Sequence, residues 1–143
     1  MAWLVEGPLD AAAEQAGFLA DHGHYGAVAS FTGVVRGPAE YLYLDWYPGM
    51  TEASIEAIAE AAMERFDVKE IKVLHRCGRV EAGEAVVFVA AASVHRRAAF
   101  EAVDYMMDRL KSEAVFWKRE VNQGVGRWVE PRPEDAQSLE RWQ

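Results

Sequence analysis

Nine residues at 85–93, AVVFVAAAS, run without a charge and are apolar on both faces of an extended chain. Such a strand is stable only at the centre of a sheet with cover above and below, so it predicts a layered fold built around it. The cover is legible on both sides of it in the sequence. After the break at Pro48-Gly49, residues Ile55, Ile58, Ala59, Ala62, Met63 and Phe66 fall at i, i+3, i+4, i+7, i+8 and i+11. That is one apolar stripe on a helix, with Glu52, Glu56, Glu60 and Glu64 expected on the solvated side. A second long helix is read over 95–112, with Ala99, Val103, Met106 or Met107, and Leu110 facing inward.

The remaining segments fill in the order. Pro8 followed by LDAAAEQAGFLADH, with Gly23 beyond it, reads as a first helix. Residues 25–35, YGAVASFTGVV, are β-branched and aromatic with internal glycines, a strand that bends or admits a close neighbour. Arg36-Gly37-Pro38 is a turn, and YLYLDWY at 41–47 has the period of two of a strand. VKEIKVLHRCG (68–78) and VFWKREV (115–121) are further strands, EAGE (81–84) is a turn, and Gly124 and Gly126 mark a loop. The order αββαβ(β)βαβ is α+β: two amphipathic helices covering a mostly antiparallel sheet. No repeat or internal boundary is visible, so 1–143 is expected to be a single domain. Residues 131–143 are its polar, proline-punctuated tail, with room for a short helix in EDAQSLERW.

Charge is distributed unevenly. The chain of 143 residues has a formal charge of −8, yet residues 95–119 hold six Lys/Arg against four Asp/Glu. Two of only four lysines, Lys111 and Lys118, lie there. An acidic protein that gathers its cations in one segment has a use for them on an anion, although a solvated helix face explains the same composition. The acidic balance argues against nucleic-acid binding. No apolar run reaches the ~20 residues needed to span a bilayer, so no membrane role is expected. The start lacks a secretory pattern and the lone Cys77 cannot form an internal disulfide, which together suggest the cytoplasm.

Three constellations offer chemistry. Phe31-Thr32-Gly33-Val34-Val35-Arg36 ends a strand on an arginine, whose planar fork suits phosphate or carboxylate; an arginine merely flanking a surface turn is the plainer alternative. Ser93-Val94-His95-Arg96 stands at a strand-to-helix junction, where free N–H groups favour anions. Basic residues there work against the helix dipole, a local conflict that hints at function, unless the side chains simply reach into solvent. Lys111 and Lys118-Arg119-Glu120 follow a helix and enter a returning strand. Lysines near other cations have lowered pKa values and serve as bases or nucleophiles. Glu120 is a candidate to orient one of them. There is no P-loop, GxSxG, CxxC or HExxH, and His22-Gly23-His24 makes a poor metal site, so neither a metal nor a cofactor is expected. Cys77, alone on a strand, is expected to be buried and inert.

Taken in order, FTGVVR (31–36), LDWYPGMTEASI (44–55), HRCGRVEAGEAVV (75–87), SVHRRAAFEA (93–102), DRLKSEAVFWKRE (108–120) and GRWVEPR (126–132) resemble the large, catalytic subunit of molybdopterin synthase. The likeness covers nearly all of the chain from about residue 25. It implies an α/β-hammerhead fold and a sulfurtransferase that turns cyclic pyranopterin monophosphate into molybdopterin by building its dithiolene. The sulfur would come from a thiocarboxylate on the C-terminal Gly-Gly of a small ubiquitin-like partner. The large subunit would form a central homodimer with one small subunit at each end. The family's substrate-binding positions fall on Val34, Val35, Arg36, His95, Arg96, Lys111, Lys118, Arg119 and Glu120, with Lys111 and Lys118 as the catalytic pair. Two departures stand out: the turn after Arg36 is short, and Asp45-Trp46 replaces the commoner pair, which reads as structural. The competing expectation is a non-catalytic, dimeric anion- or pterin-binding module of the same fold.

Overall fold

A computed structural model describes residues 1–143. It contains two four-stranded sheets. The first runs β1 (Ala2–Val5), β4 (Glu70–Arg76), β6 (Ala85–Ser93), β2 (Ala27–Val34); the second runs β5 (Gly78–Glu81), β3 (Tyr41–Trp46), β7 (Phe116–Asn122), β8 (Val125–Trp128). Every pair is antiparallel except β1 with β4. Four helices complete the chain: α1 (Ala11–His22), α2 (Met50–Arg65), α3 (Arg96–Glu113) and α4 (Pro133–Glu140). The class is α+β, as expected, but the strands divide between two sheets rather than forming one.

The central strand explains the layering. Along β6, Val87, Val89 and Ala91 join the core made with α2 and α3, while Phe88, Ala90 and Ala92 join a second core with Phe18 of α1. A strand carries alternate side chains to opposite faces, so both sets had to be apolar. The sheet is therefore covered by α1 on one face and by α2 and α3 on the other. The α2 stripe is buried as its spacing requires, with Ile55, Ala59 and Ala62 fully enclosed. One of its glutamates is not simply solvated, because Glu56 accepts the backbone N–H of Ala2 at 3.0 Å and so fastens β1.

Three features position the second sheet. Buried Thr51, in the first turn of α2, accepts the N–H of Tyr47 at 2.9 Å and donates to the carbonyl of Val115 at 2.7 Å. Ser54 Oγ accepts the N–H of Val115 at 3.2 Å, so two hydroxyls on α2 fix the entry of β7. In β2 the register with β6 slips between Gly33 and Val34. A Cβ at Gly33 would lie 2.8 Å from Val87 Cγ1, so only glycine lets the two strands meet there. Beyond that slip, Val35 exchanges backbone hydrogen bonds with Glu84 and Gly83 and turns inward.

The C-terminal segment is docked rather than loose. Arg141 donates to Asp104 at 2.7 Å and to Asp108 at 2.6 Å on α3. Trp142 packs edge-on against Phe66 and Tyr105 at 5.8 and 5.5 Å, and its indole N–H reaches Asp108 at 2.6 Å.

Candidate active site

The alternation of β7 decides which side chains meet. Phe116, Lys118 and Glu120 stand opposite Trp46, Leu44 and Leu42 of β3 and share the inward face. Trp117 and Arg119 share the outward one. The inward face closes one side of a cavity of about 230 Å³. Val34, Val35 and Arg36 from the end of β2 form a second wall, and Met107, Leu110 and Lys111 from the last turns of α3 form a third. The floor is apolar: Leu44 is fully buried, and Leu42, Val86 and Val87 extend it.

Six of the nine expected residues line this cavity: Val34, Val35, Arg36, Lys111, Lys118 and Glu120. The two lysines reach it from different elements, one at the end of a helix and the other in the following strand. Burial pushes the Lys118 amine down to about 8, the charge of Lys111 adds to that effect, and Asp135 opposes it. Two lysine side chains beside an apolar floor, one half-buried and one exposed, make a place that attracts an anion. Glu120 pairs with Arg127 at 3.5 Å and makes no ion pair with either lysine, so the orienting role considered for it has no direct contact behind it.

Arg119 does not belong to the cavity. Strand alternation turns its side chain to the opposite face, where it bonds Asp45 at 3.2 Å and lies over the rings of Tyr43 and Trp128 at 4.7 and 5.4 Å. That contact also accounts for Asp45, which is structural as expected. His95 and Arg96 are exposed at the start of α3 and line no part of this cavity. Fifteen residues of helix at 1.5 Å each separate Arg96 from Lys111 by about 22 Å. Within one chain they cannot touch the same small anion as the lysines.

Several contributors were not foreseen. His75 of β4 lies in the cavity wall, stacked on Phe116 with ring centroids 4.3 Å apart. Its position after Ile71 and Val73 in the inward register was the available signal. Met107, Val129 and the charge of Asp135 also act here, which makes the segment after β8 part of the site's surroundings. Cys77 is buried, and burial raises its thiol pKa, with Glu6 and Glu52 adding to the rise; it is no ready nucleophile.

Two sheets meeting over a cavity that gathers two lysines and an arginine define the class: an α+β hammerhead with a cationic pocket at the junction of its sheets. The match to the family model described as MoaE protein spans residues 4–113, and the chain belongs to that family. A relative from Caulobacter vibrioides, a molybdopterin synthase catalytic subunit, is 44% identical over 97% of this chain and 95% of its own length. The solved structure of the molybdopterin biosynthesis MoaE protein from Burkholderia ambifaria superposes with a TM-score of 0.84 at 37% identity, covering 99% of this chain and 97% of that one. That of molybdopterin synthase from Staphylococcus aureus gives 0.78 at 28% identity, covering 89% and 95%.

Proposed function

We infer that this chain is the catalytic subunit of a molybdopterin synthase, a sulfurtransferase of molybdenum cofactor biosynthesis. A catalytic subunit implies a second kind of subunit, and here that is the small ubiquitin-like sulfur carrier ending in a Gly-Gly thiocarboxylate. The observation that carries the reading is the meeting of Lys111 and Lys118 in one cavity with Arg36 at its rim.

The substrate, cyclic pyranopterin monophosphate, is an anion, and the guanidinium of Arg36 is suited to clamp its phosphate. The carrier's tail brings a second anion. Glycines at its end allow the backbone to enter a narrow opening without side-chain clashes. Each transfer forms a carbon–sulfur bond on the pterin side chain as a carbon–oxygen bond at the same carbon breaks, its oxygen leaving as water or with the phosphate. Water then cleaves the carrier's acyl–sulfur bond, so the sulfur stays on the pterin and the carrier leaves as carboxylate. The tetrahedral species on that route are negatively charged, and ammonium groups placed beside them stabilise them. Lys118, with its amine near pH 8, has both protonation states within reach and moves protons at the pterin side chain. Lys111 holds charge at the tail. Because the carrier supplies the sulfur, the chain needs no cysteine of its own.

His95 and Arg96 serve the substrate from a second copy of the chain, as a central homodimer would allow. Residues 1–143 act as one domain, since both sheets contribute walls to the same cavity. The site of action is the cytoplasm. No helix is long and apolar enough to cross a membrane. Turnover tests the reading: the purified chain, a thiocarboxylated carrier and cyclic pyranopterin monophosphate together give a dithiolene-bearing pterin. A binding module of the same fold would bind the pterin and give none.

A further inference from the structure

The chain crosses between the two sheets at 35–40, from β2 to β3, and again at 82–84, from β5 to β6. The first crossing carries Arg36, at the rim of the cavity, in a stretch with neither strand nor helix. Such a stretch has no ladder of its own, so the direction of Arg36 depends on what fixes the ends. The second crossing fixes both. Val35 donates its N–H to the carbonyl of Glu84 at 2.9 Å, and its own carbonyl accepts the N–H of Gly83 at 2.6 Å. At the far end, the carbonyl of Glu40 accepts the N–H of Ala82 at 3.0 Å.

One side chain closes the turn that makes these three bonds. Glu84 Oε1 accepts the N–H of Glu81 at 2.8 Å, while the N–H of Glu84 donates to the carbonyl of Glu81 at 3.0 Å. The same carboxylate oxygen lies 3.5 Å from the guanidinium of Arg76, at the end of β4. Arg76 is buried and donates to the carbonyls of Glu6 and Arg79 at 2.8 and 3.0 Å. A buried charge needs an opposite one, and Glu84 supplies it. Glu84 itself lines no part of the cavity.

We propose that Glu84 is a positioning residue for substrate capture: its carboxylate, anchored on Arg76, shapes the 81–84 turn, and the turn aims Arg36 at the phosphate of the bound anion. The proposal rests on the sulfurtransferase reading, in which Arg36 is the phosphate clamp. A guanidinium fork grips phosphate through N–H groups of fixed geometry, so its hold is sensitive to the backbone beneath it. Lys111 and Lys118 are carried by α3 and β7, so loosening the turn weakens capture and spares the transfer step.

Two experiments test this. Amide hydrogen exchange needs no substrate: the Val35 N–H should exchange at least ~10-fold faster in Glu84→Ala, while the β4–β6 ladder stays protected. Glu84→Gln, which keeps the acceptor, should restore most of the protection. Unchanged Val35 protection, or Glu84→Gln no better than Glu84→Ala, overturns the proposal whether or not the chain is a sulfurtransferase. In the second experiment, calorimetry and turnover with cyclic pyranopterin monophosphate should show affinity weakened ~10-fold in Glu84→Ala, with kcat within about 2-fold of wild type. Gly83 has φ of +90° and open space where a Cβ would sit, so Gly83→Ala strains the same turn without leaving Arg76 unpaired. It should give the same selective loss. Once Arg36→Ala is present, adding Glu84→Ala should cost nothing more. Affinity unchanged in both turn variants, or losses that multiply with Arg36→Ala, overturns the proposal. A wild type that never binds the pterin fails the sulfurtransferase reading instead, and the exchange data tell the two failures apart.

Discussion

Lys118 of β7 stands directly opposite Leu44 of β3, and Leu44 is fully buried. The amine thus faces apolar partners on β3, beside a second lysine from the end of α3. Holding an ammonium there costs stability, a cost that the proposed sulfur transfer accounts for.

Removing either amine should disable chemistry without unfolding the chain. Lys111→Ala and Lys118→Ala are each expected to lower sulfur transfer by at least ~100-fold, the scale of a lost acid–base or charge-stabilising group. Circular dichroism should remain native. Near-normal rates in both variants would remove the basis of the assignment.

The same site predicts a trade between stability and activity. Lys118→Met replaces a half-buried cation whose pKa is depressed to about 8 with an apolar chain of similar length. At pH 7 both folded and unfolded forms of the lysine are protonated, so the full cost of burial is present. It fades only as the pH rises through the interval from 8 towards the unfolded value. Chemical denaturation at pH 7 should show Lys118→Met more stable than wild type by roughly 1–2 kcal/mol, with sulfur transfer lost.

Acid stability follows from His75. Its folded pKa of about 4 lies below the unfolded value of 6.5, so the unfolded state takes up a proton first as the pH falls. Stability is complete above 6.5 and declines towards 4, by at most about 3 kcal/mol. Denaturation curves from pH 7 to 4 should flatten in His75→Phe relative to wild type.

Substrate capture separates Arg36 from Arg119. Arg36→Ala should weaken binding of cyclic pyranopterin monophosphate by ~10- to 100-fold, as loss of a charge-assisted clamp does. Arg119→Ala should leave that affinity unchanged and cost only a surface ion pair with Asp45. Calorimetry distinguishes the two; equal losses would mean that the outer face also binds substrate.

Much of this was legible before the fold was known. The uncharged run at 85–93 dictated a covered central strand, and the stripes of α2 and α3 dictated the cover. What escaped was short or exposed. β1 has four residues and is fastened by Glu56 from far along the chain, and all four residues of β8 are exposed, so neither carries a burial pattern. The split into two sheets lies in long-range pairings, β3 with β5 and with β7, which no local pattern encodes. At the site, strand alternation alone separates Lys118 and Glu120 from Arg119, and helical rise alone separates Arg96 from Lys111. That Lys111 and Lys118 face one cavity depends on how the chain turns between α3 and β7, and this the sequence does not state.

The fate of the carrier's C-terminus tests the central claim most directly. Intact-mass spectrometry of the thiocarboxylated carrier, mixed with this chain and cyclic pyranopterin monophosphate, should show sulfur replaced by oxygen as the dithiolene pterin accumulates. With Lys111→Ala or Lys118→Ala, the thiocarboxylate should persist. A carrier that keeps its sulfur beside the folded wild-type chain, or loses it equally fast with both lysines removed, would contradict the account.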